Sequence, residues 1–117
     1  MNNFGFFSLI YLLLNHCREE NQNEDLDCFL SKMDPYIWAD EGSGDPAVYD
    51  EFKQFMKGKT LGEDNGFQLA KDYLKTITFY PGLEKYLEEY DQEGWDDAMR
   101  QFLSQPHKGE NKSDHLY

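Results

Sequence analysis

Residues 4–14 constrain this chain more than any other stretch. These 11 residues, Phe-Gly-Phe-Phe-Ser-Leu-Ile-Tyr-Leu-Leu-Leu, are the most apolar run in the sequence. They amount to about half of the ~20 residues that a membrane span needs. A secretory leader would carry basic residues ahead of such a run and small residues at a cleavage point. Here Met1-Asn2-Asn3 precedes it and Asn15-His16-Cys17-Arg18 follows. The apolar positions run nearly all round a helix rather than down one side, as in a helix covered by neighbours on most faces. The run therefore reads as the central helix of a core.

The rest of the chain supplies the neighbours. No stretch shows a sustained apolar–polar alternation, whereas helical spacing recurs throughout. The first helix is expected over residues 6–20 and the second over 25–32, with Leu26, Phe29, Leu30 and Met33 on one face. Asp34-Pro35 interrupts it, because the residue before proline avoids the helical region. Residues 36–44 are irregular and end in Gly42-Ser43-Gly44. Asp45-Pro46 then starts a third helix, with Asp45 as the cap and Pro46 at the first helical position. That helix runs to Met56 with Val48, Phe52, Phe55 and Met56 as its stripe, and stops at Gly58. Asp64 or Asn65 caps a fourth helix reaching Thr76, and residues 78–82 form a turn. A fifth segment carries Leu83, Tyr86, Leu87 and Tyr90, breaks near Gly94, resumes with Trp95, Met99, Phe102 and Leu103, and ends at Pro106. One kinked helix or two short ones fit it equally. The expected fold is all-α, a compact bundle of about five helices over residues 1–106, with 107–117 a polar, fraying tail. At 117 residues and 16% aromatic content, one domain with its own core is expected, not a disordered chain.

Charge and motif content narrow the function classes. The formal charge of -12 repels nucleic acid and anionic membranes and attracts basic partners. Cys17 and Cys28 are too few for a disulfide framework and read as buried thiols of a cytoplasmic protein. A twelve-residue calcium loop counted from Asp40 places Glu51 correctly, but it puts glycines at two ligand positions and Asp45 where glycine is required. His16, His107 and His115 lack a partner at metal-ligand spacing; His16 and Cys17 are adjacent, and neighbours on a helix point about 100° apart. There is no Gly-x-Ser-x-Gly, no phosphate-binding loop and no dinucleotide fingerprint. No catalytic, metal or cofactor-binding residue is expected, and the chain reads as a binding protein rather than an enzyme.

The acidity is local. Residues 19–51 hold eleven acids and one base, Lys32, and residues 84–97 hold seven acids and one base, Lys85. A solvated face that keeps a small protein dissolved explains part of this. Aromatics are interleaved with the acids, however: Tyr36, Trp38 and Tyr49 flank the first cluster, and Tyr90 and Trp95 the second. Trp95 shares a helical stripe with Met99 and Phe102 and is assigned to packing. Trp38 has no stripe to join, which makes it the better anchor for a partner.

In size, acidity, helical content and acidic-aromatic segments the chain resembles bacterial immunity proteins, the antidotes of contact-dependent or polymorphic toxins. Phe79-Tyr80-Pro81-Gly82 is similar to the Tyr-Tyr-Pro turn with which colicin nuclease immunity proteins touch their toxin, with Phe in place of the first tyrosine. Residues 34–52 resemble the stretch between helices in some polymorphic-toxin immunity proteins. The resemblance implies an inhibitor that neutralises a basic toxin, such as a nuclease, by direct binding through Tyr36, Trp38, Asp40, Glu41, Asp45 and Tyr80. A different reading is a helical structural or regulatory adaptor without catalytic activity, pairing with itself as a homodimer through surplus apolar surface on the first helix.

Overall fold

The structure is a computed structural model that describes residues 2–62 and 64–105. Six helices and no strand are found among the described residues: α1 (Asn3–Arg18), α2 (Glu24–Met33), α3 (Pro46–Met56), α4 (Gly66–Lys75), α5 (Glu84–Glu88) and α6 (Gln92–Leu103). The all-α bundle expected from the spacing is present. Its Cα radius of gyration, 13.3 Å, is what a close-packed domain of this length shows.

Local chemistry sets most helix starts. Asn2 caps α1 by accepting from the Gly5 amide at 2.8 Å, so the helix begins at Asn3, three residues before the expected start at residue 6. Asn23 caps α2 by accepting from Asp25 at 2.8 Å and Leu26 at 3.3 Å. Glu24, Asp25 and Asp27 follow in the first turn, where negative charge meets the positive end of the helix dipole. Asp45 caps α3 through Ala47, with Pro46 directly after it, as the sequence indicates. The chain leaves α3 through Gly58, whose φ of +80° lies in the left-handed region that glycine adopts without strain.

Two boundaries differ from expectation. Asn65 occupies the cap position of α4 but makes no capping bond; its carboxamide instead accepts from Gly62 at 2.7 Å and donates to Thr60 at 2.8 Å, closing the preceding loop. The fifth segment is two helices, and the break falls at residues 89–91 rather than at Gly94. Asp91 is the cause: its side chain accepts from the Gly94 amide at 2.7 Å and starts α6 there. Pro106 and the 107–117 tail lie outside the described residues.

α1 is central. It packs against α2, α3, α5 and α6, while α4 lies on α5 and α2 touches α3. Phe6 meets Phe52 of α3 and Trp95 of α6 with ring centroids at 5.8 and 6.1 Å, and Phe7 meets Tyr49 and Phe52 at 5.1 and 5.0 Å. The far end of the helix is held at Cys17, whose thiol reaches the Tyr86 carbonyl at 3.7 Å, and at Leu13, whose carbonyl accepts from the Tyr90 hydroxyl at 3.4 Å. The surplus apolar surface of α1 is covered inside the chain, leaving Leu12 as its exposed large hydrophobic. No helix among the described residues is long and apolar enough to cross a membrane.

Candidate functional site

The segment joining α2 to α3, residues 34–45, carries five of the six candidate binding residues. It has no regular structure, yet it is pinned at both ends and in the middle. At its start the Asp34 carboxylate accepts from the Tyr36 amide at 2.9 Å, an Asx turn. The Tyr36 ring packs edge-on against Tyr11 of α1 at 6.0 Å, and burial, with Tyr11 and Asp34 adding to it, pushes the Tyr36 hydroxyl up to about 12. At its end the Asp45 amide donates to the Lys32 carbonyl at 2.8 Å, which ties the segment back to the last turn of α2. Gly44 is required beside this contact, because a Cβ there would run into the Ser31 carbonyl oxygen.

Ser43 is the internal brace. It is fully buried, donates its hydroxyl to the Asp45 carbonyl and accepts from the Tyr49 amide at 3.0 Å. Its own carbonyl accepts the Trp38 indole N–H at 2.7 Å. One small side chain thus connects the segment to α3 while its backbone fixes the indole. Each neutral bond contributes about 1 kcal/mol, and the group of three holds the segment in one shape.

The fixed segment presents Trp38 and Ile37 outward, 50% and 54% exposed, with Asp40 and Glu41 beside them. Tyr49, which flanks this cluster in the sequence, belongs to the core instead: it is 6% exposed, with Phe4 and Phe7 each 5.1 Å away. Burial first, and then the nearby Glu41 carboxylate, raises its hydroxyl to about 12. Trp95 is buried as expected. Of the two cysteines Cys17 is buried, but Cys28 is exposed, contrary to the reading of both as interior thiols.

Tyr80 lies across a groove from this segment, and Asp45 and Lys32 connect the two. Its ring is 8% exposed and packs on Phe29 at 5.9 Å, while its hydroxyl accepts from the Lys32 amine at 3.0 Å. The exposed member of this turn is Phe79, at 80%. Lys32 sits over both rings, 5.5 Å from the Phe79 centroid and 5.3 Å from that of Tyr80. The groove, about 230 Å³, is lined by Phe29, Lys32, Asp45, Ala47, Val48, Glu51, Ile77, Phe79 and Tyr80. Ile37, Lys32 and Glu51 are not among the binding residues expected from the sequence, and of the turn at 79–82 only Tyr80 is, not the exposed Phe79; Lys32 stands out in the sequence as the one base among the eleven acids of residues 19–51.

Three ion pairs are found among the described residues: Arg18–Asp27 at 3.8 Å, Lys53–Asp50 at 3.3 Å, and Arg100–Asp97. All are exposed and two join residues within one turn, so they leave the surplus of negative charge on the surface. The described residues contain no cluster of three or more metal-ligating side chains. Comparison with family models, curated proteins and solved structures returns no match.

Proposed function

We propose that this protein is a small acidic binding module that inhibits a basic protein, in the manner of an immunity protein neutralising its toxin. The observation that carries this reading is Trp38. A half-exposed indole is held by its N–H within a segment that is otherwise braced by buried Ser43. About 100 Å² of such a ring remains open to solvent, and covering it is worth about 2.5 kcal/mol. An exposed ion pair contributes about 0–1 kcal/mol. Affinity is therefore assigned to Trp38 and Ile37, and speed of encounter to the charge of -12, with Asp40 and Glu41 flanking the anchor. Because the segment is already ordered, little conformational entropy is lost on binding. Tyr36 supports the segment from beneath and Asp45 fixes its end, so both act by holding the anchor in place.

The test is capture of a basic protein from the native cell by the intact chain, followed by co-expression of the two in a growth assay. The captured protein is expected to be toxic alone and harmless with this chain present. Trp38→Ala should weaken the complex about thirtyfold or more, as for a hot-spot aromatic. The association rate should fall steeply as salt is added. A captured protein whose toxicity this chain does not relieve, or a complex indifferent to Trp38→Ala, refutes the reading.

A further inference from the structure

The groove between α2, the start of α3 and residues 77–80 has chemistry that the Trp38 segment lacks. We infer that it receives an arginine side chain of the basic partner, with the aliphatic stem along Val48 and Ile77 and the guanidinium against Asp45, Glu51 and the face of Phe79. This inference rests on the function proposed above and specifies how one part of the partner is recognised.

Size argues first. At about 230 Å³ the groove is below the roughly 300–1,000 Å³ of sites for drug-sized molecules, and it suits one long side chain. Its composition is the second argument. Phe29, Val48 and Ile77 make an apolar wall, while the carboxylates of Asp45 and Glu51 lie on the α3 side. Both carboxylates are exposed, in a chain whose surface carries a large excess of acid. An aliphatic stem ending in a cation matches that division.

A cation already uses part of the groove. The Lys32 amine stands 5.5 and 5.3 Å from the Phe79 and Tyr80 centroids and donates to the Tyr80 hydroxyl. Aromatic faces here therefore accept positive charge, as rings do when a cation lies within about 6 Å of the centroid. With Lys32 bound to Tyr80, what remains is the outer face of Phe79 and two carboxylates. A planar five-donor guanidinium can stack on the ring and fork to carboxylates together; a compact ammonium cannot. Phe79 is 80% exposed and touches the rest of the molecule edge-on at Tyr80, 5.1 Å away, and through the Lys32 amine, so most of its ring is open to a second cation. Lys32 acts as a tethered occupant that an incoming arginine must share the groove with or push aside.

The inference is tested on the intact chain by amide chemical-shift titration with N-acetyl-arginine amide, using the citrulline analogue as the neutral isostere. Saturable shifts at Ala47, Val48, Phe79 and Tyr80 are expected with arginine, and binding about fivefold or more weaker with citrulline, the size of one exposed charge interaction. Glu51→Gln, at an exposed position, should weaken arginine binding several-fold while leaving the rest of the spectrum unchanged. Lys32→Met should strengthen it, because the competing cation is gone; if Lys32 served only to prop Tyr80, the same change would weaken binding or leave it unaltered. Equal responses to arginine and citrulline, shifts confined to other surfaces, or no effect of Glu51→Gln would overturn the inference. The two readings fail separately. Arginine binding in the groove without any captured toxin sinks the proposed function alone. A toxin neutralised through Trp38, with no arginine response here, sinks the groove alone.

Discussion

The two tryptophans make opposite use of the same side chain. Trp95 is 1% exposed, stacks on Phe67 at 5.6 Å and lies so close to α4 that a Cβ on Gly66 would come within 3.2 Å of its ring. Its indole N–H finds no hydrogen-bond partner among the described residues. Trp38 is 50% exposed, yet its N–H is bonded to a backbone carbonyl at 2.7 Å. The interior residue is held by shape, at the expense of one unsatisfied donor. The surface residue is held by direction, with ring area left over. Shape stabilises a fold; direction with spare area presents a contact. If that contrast is sound, substitutions around Trp95 change stability and those around Trp38 change binding.

The largest expected effect is that of Trp95→Ala, which should destabilise the protein by about 3–5 kcal/mol, as deletion of a buried aromatic does. Chemical denaturation would measure it, and a loss under 1 kcal/mol would break the comparison from the core side. Gly44→Ala comes next. Its Cβ meets the Ser31 carbonyl, so the segment must lift away from α2, at a cost of about 1–3 kcal/mol. It should also weaken binding of the proposed basic partner, by displacing the segment that carries Trp38. Ser43→Ala removes a buried hydroxyl that serves both the Asp45 carbonyl and the Tyr49 amide, and about 1–2 kcal/mol is expected by thermal or denaturant unfolding. Trp38→Ala should be the smallest, about 1 kcal/mol from loss of the indole bond to the Ser43 carbonyl, while carrying the largest loss of binding. A destabilisation of Trp38→Ala equal to that of Trp95→Ala would remove the distinction altogether.

Tyrosine titration probes the same two regions. Tyr36 under the segment and Tyr49 in the core are both raised to about 12, by burial first, against about 10 in an unfolded chain. The unfolded state then loses these protons before the folded state does. Stability is accordingly complete below pH ~10 and falls as pH rises from there toward 12. Tyrosinate absorbance followed beside circular dichroism should show these two hydroxyls ionising only as helix is lost. Tyr36→Phe and Tyr49→Phe should each flatten the alkaline decline.

Much of the fold was legible because its causes are local. Asp45 with Pro46 and the stripe of α2 each act within a few residues, and the structure contains them. The break at Asp91 was misplaced to Gly94 because glycine reads as a breaker in isolation, whereas a capping carboxylate three residues earlier makes that glycine amide part of a helix start. The α3 stripe of Val48, Phe52, Phe55 and Met56 does face the core, Val48 and Phe55 at its half-buried edge, but Tyr49 widens that face because α1 covers it with Phe4 and Phe7. In the candidate site, exposure of Trp38 followed from its having no stripe to join. The turn at residues 79–80 was not legible in the same way. Two adjacent aromatics point apart, and which one is buried depends on Phe29 and Lys32, about fifty positions away in the sequence.

The central place of α1 also has a consequence for biosynthesis. Its hydrogen-bonding partners Tyr86 and Tyr90 lie 69 and 77 positions further along, and its ring partner Trp95 further still. The most apolar helix is therefore synthesised before the α6 residues that complete its cover. Until α6 has left the ribosome, Phe6 lacks its contact with Trp95, and an apolar face of α1 stays open during synthesis. Fragments ending before α6 should aggregate rather than populate a partly folded bundle.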